Sequence, residues 1–231
     1  MTPLVDLFGD GISMEFRLSY RGELLRSQHG QRGKRTREKH ALRLEFHRQL
    51  ADLWKRDPRL SSIDPEQLKD VVTHSEVFRG RFDVQRNAEK HIPLYEDTPL
   101  RGFLYQRPFR GYRFIPLVTG VMHADCRLEI TISRSLRRGT ILYAGDLDGR
   151  LKVLLDALSM PLQKSDLPCG VTGGDEICFC LLEEDVMVTD LCIESKQLLG
   201  EDPAGHVAEV EIDVIVRPVI QMLGTRDIHR A

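Results

Sequence analysis

No apolar run in this 231-residue chain approaches the ~20 residues that a bilayer-crossing helix needs. The amino-terminal stretch MTPLVDLFGDGISMEF carries acids early and lacks the basic start and long apolar segment of a secretory signal, so a cytoplasmic protein is expected. Cysteine pairs at metal-binding spacing are missing too. Cys126, Cys169, Cys178, Cys180 and Cys192 are odd in number and include no C-x-x-C pair, which argues for buried free thiols and against structural zinc. His40 and His47 lie two turns apart on an expected helix, too far for one ion to join both. An excess of one charge is also absent: 33 basic against 35 acidic residues leave a net charge of −2, which argues against a generic nucleic-acid coat protein. No internal repeat is visible.

What is present is an ordinary globular composition, 41% hydrophobic and 29% charged, in a chain long enough for one generous domain or a domain with an insertion. The charge is unevenly placed. Arg26, Arg32, Lys34, Arg35 and Arg37 form a run without acids. Between Thr98 and Ala124 acids are again missing, and Arg101, Arg107, Arg110 and Arg113 alternate with Phe103, Tyr105, Phe109 and Tyr112. Acids concentrate from Asp175 to Asp213. Such asymmetry suits one face that grips phosphates and another that holds metal, and equally suits a solvated charged surface.

Alternation over Ser13–Tyr20 predicts a strand, and the Gly/Arg-rich stretch His29–Lys34 a loop. Leu42, Phe46, Leu50 and Leu53, extended by Trp54, recur at helical spacing up to Asp57-Pro58. A short second helix is expected from Asp64-Pro65. Residues 71–112 are broken by glycines and prolines and read as an insertion of loops and short strands. Strands follow at Phe114–Val118 and Arg127–Ser133. A helix then runs from Asp148 to Leu158, with Leu151, Leu154, Leu155 and Leu158 as its apolar side and Pro161 beyond its end. Ile177–Leu182 and Val186–Ile193 read as strands separated by the acidic turn Glu183-Glu184-Asp185, and Val207–Arg217 closes the chain with Val210, Ile212, Val214 and Val216 on one face. The order gives an α+β fold, one domain over 1–231 whose second half, 114–217, carries the core chemistry.

That chemistry centres on Gly145-Asp146-Leu147-Asp148-Gly149-Arg150-Leu151-Lys152, followed by Asp156-Ala157-Leu158. Asp146 and Asp148, two apart at a strand end, point to one side, and Lys152 stands one helical turn from Asp148. Carboxylate oxygens are hard ligands that suit Mg²⁺, and a nearby ammonium can offset charge on a phosphate. The residues alone leave a plainer reading open: a capping Asp and an i, i+4 Asp–Lys pair that contribute roughly 0.3–0.5 kcal/mol.

The stretch resembles the signature of RusA-type Holliday junction resolvases, D-x-D-N-x-x-K followed by x-x-x-D-A-L, with Glu184-Asp185 where the family has a second acid pair. The likeness is strong over about 128–216, and the front end shares layout only. The resemblance implies a RusA-like mixed sheet packed with helices, in which Asp146, Asp148 and Asp185 ligate Mg²⁺ (or Mn²⁺) and Lys152 is the catalytic cation. Asp156 and Glu184 support the site. It further implies a homodimer that cuts branched DNA, with backbone contacts expected from Arg32, Lys34, Arg35, Arg37, Arg107, Arg110 and Arg113. Two departures stand out: Gly149 replaces the family's Asn, and Glu184 replaces an Asp. Alternatives are a flap, fork or mobile-element nuclease on the same fold, a non-catalytic DNA-binding or assembly protein, and an unrelated α+β protein.

Overall fold

Met14 and Leu18 turn inward from the first strand, β1 (Met14–Glu23), while Glu15, Arg17 and Ser19 stay exposed, as two-residue alternation requires. In the computed structural model, which describes residues 13–24, 32–67, 69–70, 105–119, 124–134, 147–198 and 207–218, β1 is one edge of a four-stranded sheet. Its order is β1, β8 (Val207–Pro218), β5 (Ala124–Arg134), β7 (Val188–Gln197). β8 runs antiparallel to both neighbours, and β5 and β7 are parallel. Register aligns Leu18, Ile212, Ile130 and Ile193 across all four strands, which builds a continuous apolar face. The opposite face carries charge pairs in the same register, including a two-pronged contact from Arg17 to Asp213 at 2.6 and 2.8 Å. Being exposed, these pairs add little stability.

A second sheet has the order β2 (Lys69–Asp70), β3 (Tyr105–Phe109), β4 (Tyr112–Val118), β6 (Glu176–Leu182). The last part of the segment read as an insertion therefore supplies β3 and the start of β4; residues 71–104 lie outside the described ones. β3 and β4 form a hairpin whose two central residues, Arg110 and Gly111, both have positive φ (49° and 74°), as a type I′ turn demands. Gly111 is required here twice over, because a side-chain carbon would come within 2.1 Å of the Gly173 carbonyl oxygen. β6 is buried on both faces. Phe179 stacks on Trp54 at 4.8 Å, while Cys178 and Cys180 face Tyr112, Phe114, Met160 and Leu167 in a separate small core. Cys126, Cys178 and Cys180 are the buried free thiols expected, but Cys169 and Cys192 are exposed, because they fall in a surface loop and on the edge strand β7.

Helix α1 (Arg32–Arg56) starts inside the stretch expected to be a loop. Arg and Lys are good helix formers, and the one glycine, Gly33, costs only ~1 kcal/mol against them. Leu42, Phe46, Leu50 and Trp54 are buried as the periodicity predicts. Asp57, read only as a stop, also caps a short α2 (Pro58–Ser61) by accepting from the Arg59 amide at 2.8 Å. At Asp64-Pro65 the expected helix is reduced to a single 3-10 turn, Pro65–Gln67. Helix α3 (Leu147–Leu158) forms where predicted, but its buried side is Arg150, Val153, Leu154, Ala157 and Leu158, rotated from the expected stripe. The buried Arg150 makes this rotation possible by donating to the Leu24 carbonyl at 2.7 Å. No helix among the described residues is long and apolar enough to cross a membrane.

α1 lies against both β6 and α3, and two of its histidines face that interior. His47 Nδ1 accepts the Phe179 amide at 2.9 Å. His40 is buried, neither ring nitrogen has a hydrogen-bond partner among the described residues, and its ring meets Tyr112 edge-on at 5.5 Å. Burial first, and then the charge of Arg43, hold the His40 pKa down at about 4. An unfolded histidine titrates near 6.5, so between these values the unfolded chain binds the extra proton. The stabilisation is therefore complete above about pH 6.5 and is lost as pH falls through about 4, with a full swing of roughly 3 kcal/mol. Chemical denaturation at pH 7 and pH 4.5 should show this loss, and His40→Leu should remove most of the His40 share of the slope.

Candidate active site

The two acidic parts of the sequence signature meet because of how the chain leaves α3. Ser159 bridges Leu182, and the Met160 amide donates to the Leu182 carbonyl at 3.0 Å, which pins the end of α3 beside the end of β6. The next residues of β6's exit are Glu183, Glu184 and Asp185. The Glu183 amide donates to the Val118 carbonyl at 2.9 Å, and Glu184 precedes a 3-10 turn, Asp185–Met187, that carries the chain into β7. The acidic turn is thus the crossover between the two sheets, whereas the sequence suggests only a turn between adjacent strands.

Asp148, Lys152 and Asp156 fall at i, i+4 and i+8 on α3, one stripe of the helix. Asp148 and Lys152 are exposed and Asp156 is half-buried. Asp148 lies in the first helical turn, where the expected helix start put it, and not on a strand end; Asp146 lies outside the described residues. Leu155, on the same side of α3, lines a shallow cleft of about 370 Å³ together with Asp185, Val186, Val188, Thr189, Asp190 and Leu191. A second, smaller cleft of about 80 Å³ is lined by Asp156, Asp166, Glu184 and Asp185 with Lys39 and Arg43. Asp185 borders both, so it stands where the α3 stripe meets the crossover. Asp148 is eight residues from Asp156, about 12 Å along the axis, so the stripe runs from the small cleft toward the start of α3.

Electrostatics separate the two acids of the turn. Glu184 is half-buried, and its pKa is raised chiefly by that burial, with Asp185 adding to the rise and Arg107 opposing it. Asp185 is exposed. Asp156 forms its ion pair with Lys39, at 3.1 Å.

Asp148 and Asp185 are both exposed, and carboxylate oxygens such as theirs are the hard donors that suit Mg²⁺. Among the described residues no group of three or more His, Cys, Asp or Glu is placed to hold an ion.

The expected DNA contacts divide. Arg32, Lys34, Arg35 and Arg37 belong to the first turns of α1, and Arg37 is exposed. Arg113 is committed internally: it grips Glu66 at 2.6 and 2.9 Å and lies 3.4 Å from Asp175. Arg110 donates to the Pro168 carbonyl at 2.8 Å and Arg107 to Pro161 at 3.5 Å, so both also hold the loop after α3. Tyr112 is buried in the small core and Phe109 packs against it; Arg26, Arg101 and Phe103 lie outside the described residues.

Sequence reading missed Lys39, Arg43 and Asp166. Lys39 and Arg43 sit at i and i+4, and Arg43 continues at helical spacing into Phe46 and Leu50, so a cation on an apolar face was the available signal. Arg43 is 1% exposed.

No family model matches the chain, and searches of curated proteins and of solved structures return no match.

Proposed function

We propose that the chain is a Mg²⁺-dependent, structure-selective endonuclease of RusA type that hydrolyses phosphodiesters in branched DNA, four-way junctions first. The observation that carries this reading is that Asp156, at one end of the α3 stripe, shares a cleft with Glu184 and Asp185 of the acidic crossover. Asp148 and Asp185, with Asp146, would hold the ion. Bound there, Mg²⁺ would polarise a phosphoryl oxygen and lower the pKa of an attacking water. Lys152, exposed one turn along the stripe, would offset charge gathering on the phosphate. The basic first turns of α1 would meet the DNA backbone, reading shape and charge and not base sequence. Two cuts in symmetry-related strands of a junction call for two equivalent sites, which a two-fold homodimer supplies.

Cutting rates on junction, replication-fork and flap substrates test the substrate assignment. Junctions should be cut fastest; a preference for flaps or forks would move the protein to that class of nuclease on the same fold.

A second reading, a DNA-binding protein without turnover, is favoured by Gly149 and Glu184 in place of the family's Asn and Asp. Thermal unfolding with Mn²⁺ separates the two: a working site gains stability with ion concentration, and a dead one does not.

A further inference from the structure

An unpaired sheet edge offers its amides and carbonyls to any other strand, so native folds block it. Here α1 blocks two edges. Gln49 accepts from the Ser19 amide at 2.9 Å and donates to the Ser19 carbonyl at 2.7 Å, which closes β1. His47 takes the Phe179 amide of β6 at 2.9 Å. β7, the far edge of the first sheet, has no such cover: among the described residues neither a strand nor a side chain meets its outer main-chain groups. It is also the least buried strand of its sheet. Leu191, on its inner face, is 38% exposed, whereas Leu128 and Val214 beside it in register are buried. Val186, just ahead of β7, is 63% exposed, and both residues line the larger cleft with Leu155 of α3. Apolar surface open along a free edge marks an interaction surface.

The charges on β7 select the occupant. Register with β5 puts Asp190, Cys192, Glu194 and Lys196 on the outer face of the sheet, and Leu191, Ile193 and Ser195 on the inner face. A second β7, laid antiparallel about a two-fold axis through Ile193, sets Asp190 opposite Lys196 of the second copy, and Lys196 opposite its Asp190. Ile193 then meets its own counterpart on the inner face. Moving the axis by one residue opposes like charges. About Cys192, Asp190 faces Glu194; about Glu194, that residue faces itself. Like charges directly opposite are unfavourable, so the Ile193 register is admitted and its two neighbours are rejected.

We propose that β7 is a dimer seam, where two chains join edge to edge about Ile193 and their four-stranded sheets become one sheet of eight. The contact is self-complementary and closed, because the edges left over are the β1 strands that Gln49 blocks. An axis normal to the sheet keeps both α3 helices on one side, so Leu155 and Leu191 of the two copies gain cover along the seam. The two Asp185 turns come to the same face, ahead of Val188 residues that stand roughly 33 Å apart, five residues either side of the axis. That both sites then reach one branched DNA rests on the nuclease reading, whereas the seam itself does not.

Analytical ultracentrifugation of the full-length chain, without DNA or metal, tests the seam on wild type, Asp190→Lys and Lys196→Asp. Wild type should sediment as a dimer. Each single variant turns both seam ion pairs into like-charge pairs and should raise the dimer dissociation constant about 10–100-fold. The two side chains are 47% and 48% exposed, so the fold should survive each change, and circular dichroism checks it. Mixing the two variants in equal amounts restores opposite charges at both positions, and a heterodimer of near wild-type affinity should form. A wild type that stays monomeric, or a dimer unmoved by either charge reversal, would overturn the proposal. So would variants that weaken the dimer and are not rescued by mixing. A dimer that passes these tests and leaves junction DNA uncut would remove the nuclease reading and leave the seam standing.

Discussion

Asp148→Asn and Asp185→Asn should each reduce single-turnover cleavage of junction DNA by more than about 100-fold, beyond the usual cost of an outer-shell partner. Each substitution keeps the shape of the side chain and removes the anionic oxygen of a proposed ligand. Both carboxylates are exposed, so stability should change by less than about 0.5 kcal/mol, the range for surface positions free of special contacts. Junction affinity should hold or rise, because a negative charge near the phosphates is gone. Gel-shift and cleavage assays on the same preparations separate these quantities. A variant that loses binding and cutting together would place Asp148 or Asp185 in DNA docking and not in the metal site.

Arg43→Met should be the most damaging single change to the fold, at about 3–5 kcal/mol, because two charge-assisted hydrogen bonds disappear at once. The reason lies in the end of α3. The Asp156 carbonyl would normally receive the amide four residues on, that of Met160, but this amide is spent on Leu182. Arg43 Nη2 replaces it at 2.8 Å, and Nε caps Ser159 at 3.2 Å. Met fills much of the same volume, yet it leaves both carbonyls buried without donors. Lysine should rescue little, since one ammonium cannot reproduce the guanidinium fork. For a domain of this size the melting temperature should fall by roughly 10 °C. Differential scanning calorimetry measures it directly, and a fall of a degree or two would show that the cap matters little.

The strands and the two long helices were legible because each carries a plain period. β5 and β8 alternate cleanly, with Leu128, Ile130, Ile132 on one and Val210, Ile212, Val214 on the other, since only one face of their sheet is buried. The rotation of α3 was hidden because Arg150 sits on its inner side, and a charged residue reads as solvent-facing unless its partner, the Leu24 carbonyl, is known. The split into two sheets was also hidden. β6 and β7 are adjacent in sequence, and only long-range pairing with β4 and β5 assigns them to different layers. Of the candidate site, the Asp148–Lys152–Asp156 stripe followed from spacing alone. The partner of Asp156 did not, because Lys39 is 117 residues distant and no local pattern links them. Nor does any local pattern show that, in the basic, aromatic stretch after Arg107, Arg113 pairs with Glu66 and Tyr112 packs in the small core of the second sheet.

The central claim is metal-dependent cutting of branched DNA, and a labelled mobile four-way junction incubated with the wild-type protein and Mg²⁺ tests it most directly. The account predicts paired nicks at symmetry-related positions, abolished by chelation and absent with Asp148→Asn. A junction that is bound and never cut, with Mg²⁺ or Mn²⁺, would contradict it.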